Sequence, residues 1–268
     1  MVVDSMDYYD IYNYFRKVET KIIDRRYGWI KKYKNQLLNS QKGEKIFLPH
    51  FQYENNLYIL PYGFQSNKHT ATFDLIFIFL YKKAWHAFKF VKYINNHTDA
   101  QIQNGIIIYI PHLFSRYRQR CKVEKTGVEL IIDFLKTEKD TDKASSEYSF
   151  RKKKYRYTYT EKGIIICDQY PSIDFKPALC IYKTFVSSEL LRRAQERIHS
   201  NLKLSSKIMS TLNLNDIENE NNTYREIEET VIILEDDDSD PSILKPQNYD
   251  IESALNILKK DIEQYLQK

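Results

Sequence analysis

Glycine and proline are scarce in this sequence, with only 6 and 7 copies among 268 residues. That scarcity excludes a collagen-like or loop-rich chain, and no internal repeat is visible. The longest apolar run, residues 75–81, is far shorter than the roughly 20 residues that a membrane helix needs. The N-terminus has no basic segment followed by an apolar one, so we expect no signal peptide. These absences predict a soluble, cytoplasmic protein with no membrane contact.

Cysteine is also scarce, and Cys121, Cys167 and Cys180 form no Cys-x-x-Cys pair. Since no histidine stands at metal-ligand spacing either, we expect reduced thiols and no bound metal. The sequence lacks the motifs of nucleotide hydrolases, dinucleotide oxidoreductases and zinc proteases, and we expect no cofactor. The 42% of hydrophobic residues nevertheless suffices for one large or two small cores.

Charge is distributed unevenly, although the net value is only +5. Residues 216–240 contain eleven acidic side chains and one basic one, a net charge of −10, so the remainder carries +15. This asymmetry favours a basic surface that binds RNA or another polyanion and is partly covered by the acidic segment. Deleting residues 213–268 would then increase nucleic-acid affinity. The alternative is an ordinary soluble surface with a disordered acidic linker.

The first third of the chain has patterns of both helix and strand. Apolar side chains at three- and four-residue steps predict one long helix over residues 5–40, capped by Ser5 or Asp7 and bent or ended by Gly28. Short apolar runs around an Asn-rich turn predict a β-hairpin over residues 45–64.

Residues 72–104 and 136–147 contain one clear strand, one ambiguous segment and two polar connections. Residues 72–81 are apolar on both faces, as in a central strand. Residues 82–93 fit a helix or a strand, and their aromatic side chains favour the strand slightly. Residues 95–104 predict a polar turn, and residues 136–147 a surface loop.

Residues 105–121, GIIIYIPHLFSRYRQRC, are the most informative stretch. A β-branched run leads into a proline and then a helical pattern. His112, Arg116 and Arg120 recur every four residues and share one face, while apolar side chains take the other. The stretch therefore predicts a buried strand that leads into a helix with a cationic face.

Further elements follow this helix. Residues 128–135 predict a second helix, and residues 155–159, 164–167 and 178–186 predict three strands. Ser187 and Ser188 then cap a predicted helix that ends near residue 212.

This order of elements, together with the run of His112, Arg116, Arg118 and Arg120, resembles the RelE-like domains of the barnase, colicin and RelE group of ribonuclease toxins. The strands EKGIIICD and CIYKTFVS resemble the later strands of such domains. The resemblance spans about eighty residues. It implies an α+β fold with a central antiparallel sheet in β-α-α-β-β-β order, extended by the N-terminal helix and hairpin and by C-terminal helices.

The resemblance also implies metal-independent RNA cleavage, in which a ribose 2′-hydroxyl attacks the adjacent phosphate. His112 is the acid/base candidate, because imidazole titrates near neutral pH. Arg116 and Arg120 are candidates to bind phosphate oxygens, and Thr184 is a further catalytic candidate. The RNA-binding candidates are Arg118, Arg156, Tyr157 and Lys183.

Four segments follow from these patterns. They are an N-terminal region that packs on the core (1–104), the RelE-like core with its following helix (105–212), an acidic linker (213–249) and an amphipathic helix (250–268). The last helix must dock on its own domain or on a protein partner. The alternative function is a non-enzymatic assembly or virion-associated protein, in which the RelE-like domain is a binding scaffold. In that case His112 caps or packs, and the arginines are simply solvated.

Overall fold

A computed structural model describes residues 1–40, 44–67, 70–95, 101–138, 145–150, 153–170 and 176–211, which form an α+β fold. The predicted acidic linker and terminal helix, and the effect proposed for their deletion, lie outside these residues. The described elements are α1 (Tyr8–Lys21), α2 (Ile23–Leu38), β1 (Ile46–Phe47), β2 (Phe51–Glu54), β3 (Leu57–Asn67), β4 (Thr70–Tyr81), β5 (Ala84–Asn95), β6 (Gln101–Tyr109), α3 (Pro111–Arg120), α4 (Gly127–Thr137), β7 (Ser145–Phe150), β8 (Lys153–Thr160), β9 (Gly163–Tyr170), β10 (Ala178–Ser187) and α5 (Arg193–Thr211).

The described strands form one sheet in the order β1-β3-β4-β5-β6-β10-β9-β8-β7, with β2 also paired to β3. The predicted α+β class is confirmed, and the sheet is mixed where a central antiparallel sheet was predicted, because β10 pairs with β6 in parallel, from Ala178 opposite Gly105 to Tyr182 opposite Tyr109. Parallel neighbours need a long crossover, which α3, α4 and the β7–β9 strands supply here. The predicted boundary at residue 104 falls inside β6, so the sheet continues across it.

The N-terminal helix is divided, contrary to the single helix predicted over residues 5–40. Asp7 caps α1 as predicted, since its carboxylate accepts hydrogen bonds from the backbone N–H groups of Tyr9 and Asp10. Ile22 ends α1, whereas Gly28 lies within α2. The two helices pack against different apolar clusters. Helix α1 covers the centre of the sheet, whereas α2 contributes Leu37 to a separate cluster with Leu48 and Phe73, and the helix breaks between them.

Several loops are shorter than predicted. The strand preferred for residues 82–93 is confirmed by β5, and β6 begins at Gln101, inside the predicted turn. The predicted loop 136–147 is wrong at both ends, because α4 continues to Thr137 and β7 begins at Ser145. Ser188 begins a short 3-10 turn, Ser188–Leu190, so the final helix starts at Arg193 instead.

The sheet is covered on both faces. On one, which we call the α3 face, α3 and α4 pack against side chains such as Ile107, Cys180 and Phe185. On the other, the α1 face, α1 packs on β4 and β5, and α5 packs on β8 and β9. Phe15 is at the centre of the α1 face, stacked on Phe77 with ring centroids 4.4 Å apart. Because side chains alternate along a strand, this division decides which candidate residues can meet.

Candidate nucleic-acid interface

Helix α3 is positioned by the end of β6. Ile110 is extended and Pro111 occupies the first helical turn, where its fixed φ suits the helix and its missing N–H costs nothing. Leu113, Phe114 and Tyr117 are buried in the α3 face, with the Tyr117 ring 5.0 Å from that of Phe134. The opposite side of α3 therefore faces solvent.

His112 and Arg116 meet on this solvent side, as their four-residue spacing predicts. The Arg116 Nε group donates to His112 Nε2 at 3.4 Å, a contact that requires Nε2 to be unprotonated. The Arg116 Nη1 group donates to Gln119 Oε1 at 3.0 Å. The histidine thus lies directly beside a guanidinium group.

Arg120 is anchored differently, at the C-terminal end of α3. Its Nη1 group donates to the backbone carbonyl of Phe185 in β10, beyond Tyr182, where the pairing of β10 with β6 ends. Burial lowers the pKa of Arg120, and the positive charge of Arg116 adds to that effect. Arg118 is exposed and has no side-chain partner among the described residues. We call the side chains of His112, Arg116, Arg118 and Arg120 the α3 cationic surface.

The α3 cationic surface is not neutralised locally. Within the described parts of the chain, no carboxylate lies within ion-pairing distance of Arg116, Arg118 or Arg120. The neighbouring Lys125 is paired with Asp133 at 2.5 Å. The three arginines therefore retain their charge for a ligand.

Thr184 does not join this surface. It pairs with Ile166, which in turn pairs with Tyr157, and that row belongs to the α1 face beneath α5. The reason is a bulge at Lys183, between Tyr182 and Thr184. Without the bulge, Thr184 would follow Tyr182 onto the α3 face, two residues further along. The structure therefore separates Thr184 and Tyr157 from His112 by the thickness of the sheet.

The remaining RNA-binding candidates also have partners. Tyr157 is buried against Ile198, and burial raises its pKa. Lys183 forms an ion pair with Asp168, which raises the pKa of Lys183. Arg156 Nη1 donates to the Ser145 hydroxyl at 2.9 Å. Among the strand candidates, Tyr157 is therefore buried and Lys183 is ion-paired. Arg156 has a neutral partner, as Arg116 and Arg120 on α3 do.

Two residues near α3 carry no sequence signal of a site. Lys162, in the turn between β8 and β9, places its ammonium 5.8 Å from the Tyr117 ring centroid. Glu138, only 2% exposed, accepts a hydrogen bond from the Glu161 N–H at 2.9 Å, and burial raises its pKa. Both lie in stretches predicted as turn or loop, and their proximity to α3 depends on sheet register that periodicity does not encode.

Across the described residues, no three His, Cys, Asp or Glu side chains are close enough to hold a metal ion. No described helix combines the length and apolar character needed to cross a membrane. Comparison with protein-family models, curated proteins and solved structures found no match to this chain.

Proposed function

We propose that the chain binds RNA through the α3 cationic surface. The observation that carries this proposal is that the three arginines of α3 have no carboxylate partner among the described residues. Arg116 and Arg120 share the helix face of His112, and the exposed Arg118 lies about 200° around the helix from Arg116. Planar guanidinium groups bind phosphate with two parallel hydrogen bonds, and each neutralised phosphate releases counterions. Side chains four positions apart lie about 6 Å apart along the helix axis, so His112 to Arg120 spans about 12 Å. That length accommodates more than one phosphate of a strand.

We also propose that residues 105–187 are a RelE-like domain. The supporting feature is the sequence of elements β6, α3, α4 and then a run of strands ending in β10 beside β6. Strand β7 is an addition to the order that the resemblance implies. The strands β1 to β5 extend the sheet on the other side of β6.

Metal-independent cleavage of the bound RNA is the chemical extension of this proposal. A phosphate held by Arg116 would lie beside His112, since the two side chains are 3.4 Å apart. When Arg116 turns from His112 to the phosphate, His112 Nε2 accepts the proton of the 2′-hydroxyl as that oxygen attacks phosphorus. Arg116 and Arg120 stabilise the extra negative charge of the phosphorane. The bond from phosphorus to the 5′-oxygen then breaks, the leaving oxygen takes a proton from His112 or water, and a 2′,3′-cyclic phosphate remains. Thr184, on the opposite face, has no part in this version of the site.

Binding is tested by fluorescence anisotropy with a labelled single-stranded RNA of mixed sequence. Replacing Arg116 and Arg118 by glutamine removes two charges from the solvent-accessible surface of α3. We expect affinity to fall at least about tenfold and the salt dependence to lose about 1.4 in slope, or 0.7 for each phosphate contact. The matched control makes the same change to glutamine at Arg16 and Arg26, which are ion-paired with Glu19. This control variant should bind RNA like wild type. Equal affinity of the α3 variant and wild type would overturn the proposal.

Cleavage is tested separately in EDTA with wild type and His112→Ala. Formation of a 2′,3′-cyclic phosphate by wild type alone supports His112 as the acid/base group. If wild type does not cleave, the ribonuclease extension is wrong, and the anisotropy experiment still decides RNA binding. If wild type neither binds nor cleaves RNA, the binding-scaffold alternative is favoured.

A further inference from the structure

The turn between β8 and β9 lies at the C-terminal end of α3. Thr160 pairs with Gly163 across the turn, and Lys162 projects from it into solvent. The Lys162 ammonium is 5.8 Å from the ring centroid of Tyr117, the residue between Arg116 and Arg118 in the sequence of α3. A cation from a different element therefore lies beside the last turns of α3, on the side of Tyr117.

The turn is held from three sides. The buried Glu138 carboxylate, just after α4, accepts the N–H of Glu161 at 2.9 Å. The Ser188 N–H donates to the Lys162 carbonyl at 2.8 Å. At Gly163, where φ is +159°, an added Cβ would lie 2.0 Å from the Val186 carbonyl oxygen, so only glycine fits. A turn fixed in this way holds the backbone of Lys162 in one place. Binding a ligand there therefore costs the turn less conformational entropy.

The β8–β9 turn, like α3, presents a positively charged side chain. Among the described residues, Lys162 forms no ion pair. Burial raises the pKa of the nearby Glu138 carboxylate, and the positive charge of Lys162 partly offsets that rise. Arg120 and Lys162 also flank the same end of β10. Arg120 bonds to the carbonyl of Phe185, and the Lys162 carbonyl accepts from Ser188. Arg120 and Lys162, from separate elements, thus both lie near the end of one strand, and neither forms an ion pair among the described residues.

We propose that the RNA-binding surface continues from α3 onto this turn, and that Lys162 contacts a phosphate of the same strand beyond those held by the arginines. The inference rests on the proposed function, since it names a further contact of that surface. The bound strand then follows α3 toward its C-terminal end and crosses onto the β8–β9 turn. A lysine is suited to this role, because a flexible ammonium accepts a phosphate without a fixed orientation.

The test uses the full chain and the same labelled single-stranded RNA. Lys162→Gln should weaken binding about three- to tenfold and remove about 0.7 from the salt slope. Lys162→Arg, which keeps the charge, should restore both. The matched control is Lys82→Gln, because Lys82 also lies in a β-turn with its ammonium over a tyrosine ring, 4.9 Å from Tyr81.

The outcomes separate this inference from the proposed function. Weaker binding by Lys162→Gln but not by Lys82→Gln supports it. Wild-type affinity in Lys162→Gln, together with weak binding by the Arg116 and Arg118 variant, overturns the inference alone. Wild-type affinity in both variants overturns the proposed function as well. Urea unfolding of Lys162→Gln checks that any change in affinity does not come from lost stability.

Discussion

Helices α1 and α3 each contain an arginine that bonds to the residue three positions further along. On α1, Arg16 Nη1 contacts Glu19 Oε2 at 2.6 Å, and on α3, Arg116 Nη1 contacts Gln119 Oε1 at 3.0 Å. The two contacts have the same spacing and similar geometry. They differ in charge, because glutamate cancels the arginine and glutamine leaves it positive.

Among the described residues, Glu19 also binds a second arginine, whereas Gln119 does not. The other carboxylate oxygen of Glu19 contacts Arg26 at 3.1 Å, so one acid pairs with two arginines and joins α1 to α2. Asp74, 4.0 Å from Arg26, supplies a second negative charge. Both regions also use an arginine to bind a strand carbonyl, Arg26 at Phe73 and Arg120 at Phe185. The number of basic residues on a helix therefore does not identify a polyanion-binding surface. We expect the position of the nearest carboxylates to identify it.

The largest effect on RNA binding is expected when α3 is given the acid that α1 has. In Gln119→Glu, the new carboxylate replaces an amide already bonded to Arg116, so the ion pair forms with little rearrangement. We expect affinity for single-stranded RNA to fall about tenfold at low salt, with a smaller salt slope. Anisotropy titrations at several salt concentrations measure both quantities.

Gln119→Ala is the control for this substitution. It removes the hydrogen bond to Arg116 without adding charge, so wild-type affinity is expected. An equal loss of affinity in both variants would show that the position of Arg116, and not its net charge, controls binding.

A smaller effect is expected from the reverse change on α1. Glu19→Gln leaves Arg16 without its acid and leaves Arg26 with Asp74 alone, 4.0 Å away, and nonspecific RNA affinity should rise about threefold as the salt slope steepens. The free energy of unfolding should fall by about 0.2–1 kcal/mol, the usual range for exposed ion pairs. Anisotropy and urea unfolding report the two effects. No gain in affinity would mean that surface shape, as well as charge, distinguishes α3 from α1.

Local patterns in the sequence were sufficient for much of the fold. The Asp7 cap depends on residues within one helical turn, and the β2–β3 turn uses Asn56 at a φ of +63°, which asparagine tolerates. Strand β4 was predictable because it is apolar on both faces, and each face meets its own core. The contact between His112 and Arg116 was likewise predictable from helical spacing.

The unpredicted features depend on pairing between distant segments. The bulge at Lys183 is visible only when β10 is aligned with β9, and it alone moves Thr184 to the α1 face. The same register brings Asp168 to Lys183 and neutralises a predicted RNA contact. The division of the N-terminal helix at Ile22 also follows from what each half packs on, which composition does not reveal.

The two faces of the sheet should also differ in their response to acid. His86, 6% exposed, lies on the α1 face with its ring 5.6 Å from Phe79 and 5.4 Å from Tyr81. Burial lowers the pKa of His86, and nearby Lys82 adds to this. The unfolded chain therefore binds a proton at higher pH than the folded one. Stability should be lost gradually as pH falls below about 6.5, the unfolded value, and through the folded pKa.

Urea unfolding between pH 7.5 and pH 5 measures this loss, and His86→Phe isolates its source. Phenylalanine keeps an aromatic ring between Phe79 and Tyr81 but cannot bind a proton, so the decline with acid should be shallower. Some decline should remain, because burial also lowers the pKa of His199. This residue of α5 stacks its ring on that of Tyr159 in β8. A decline as steep as that of wild type would exclude His86 as the acid-sensitive group. The acid-sensitive group of the α1 face would then be His199, whose pKa burial also lowers.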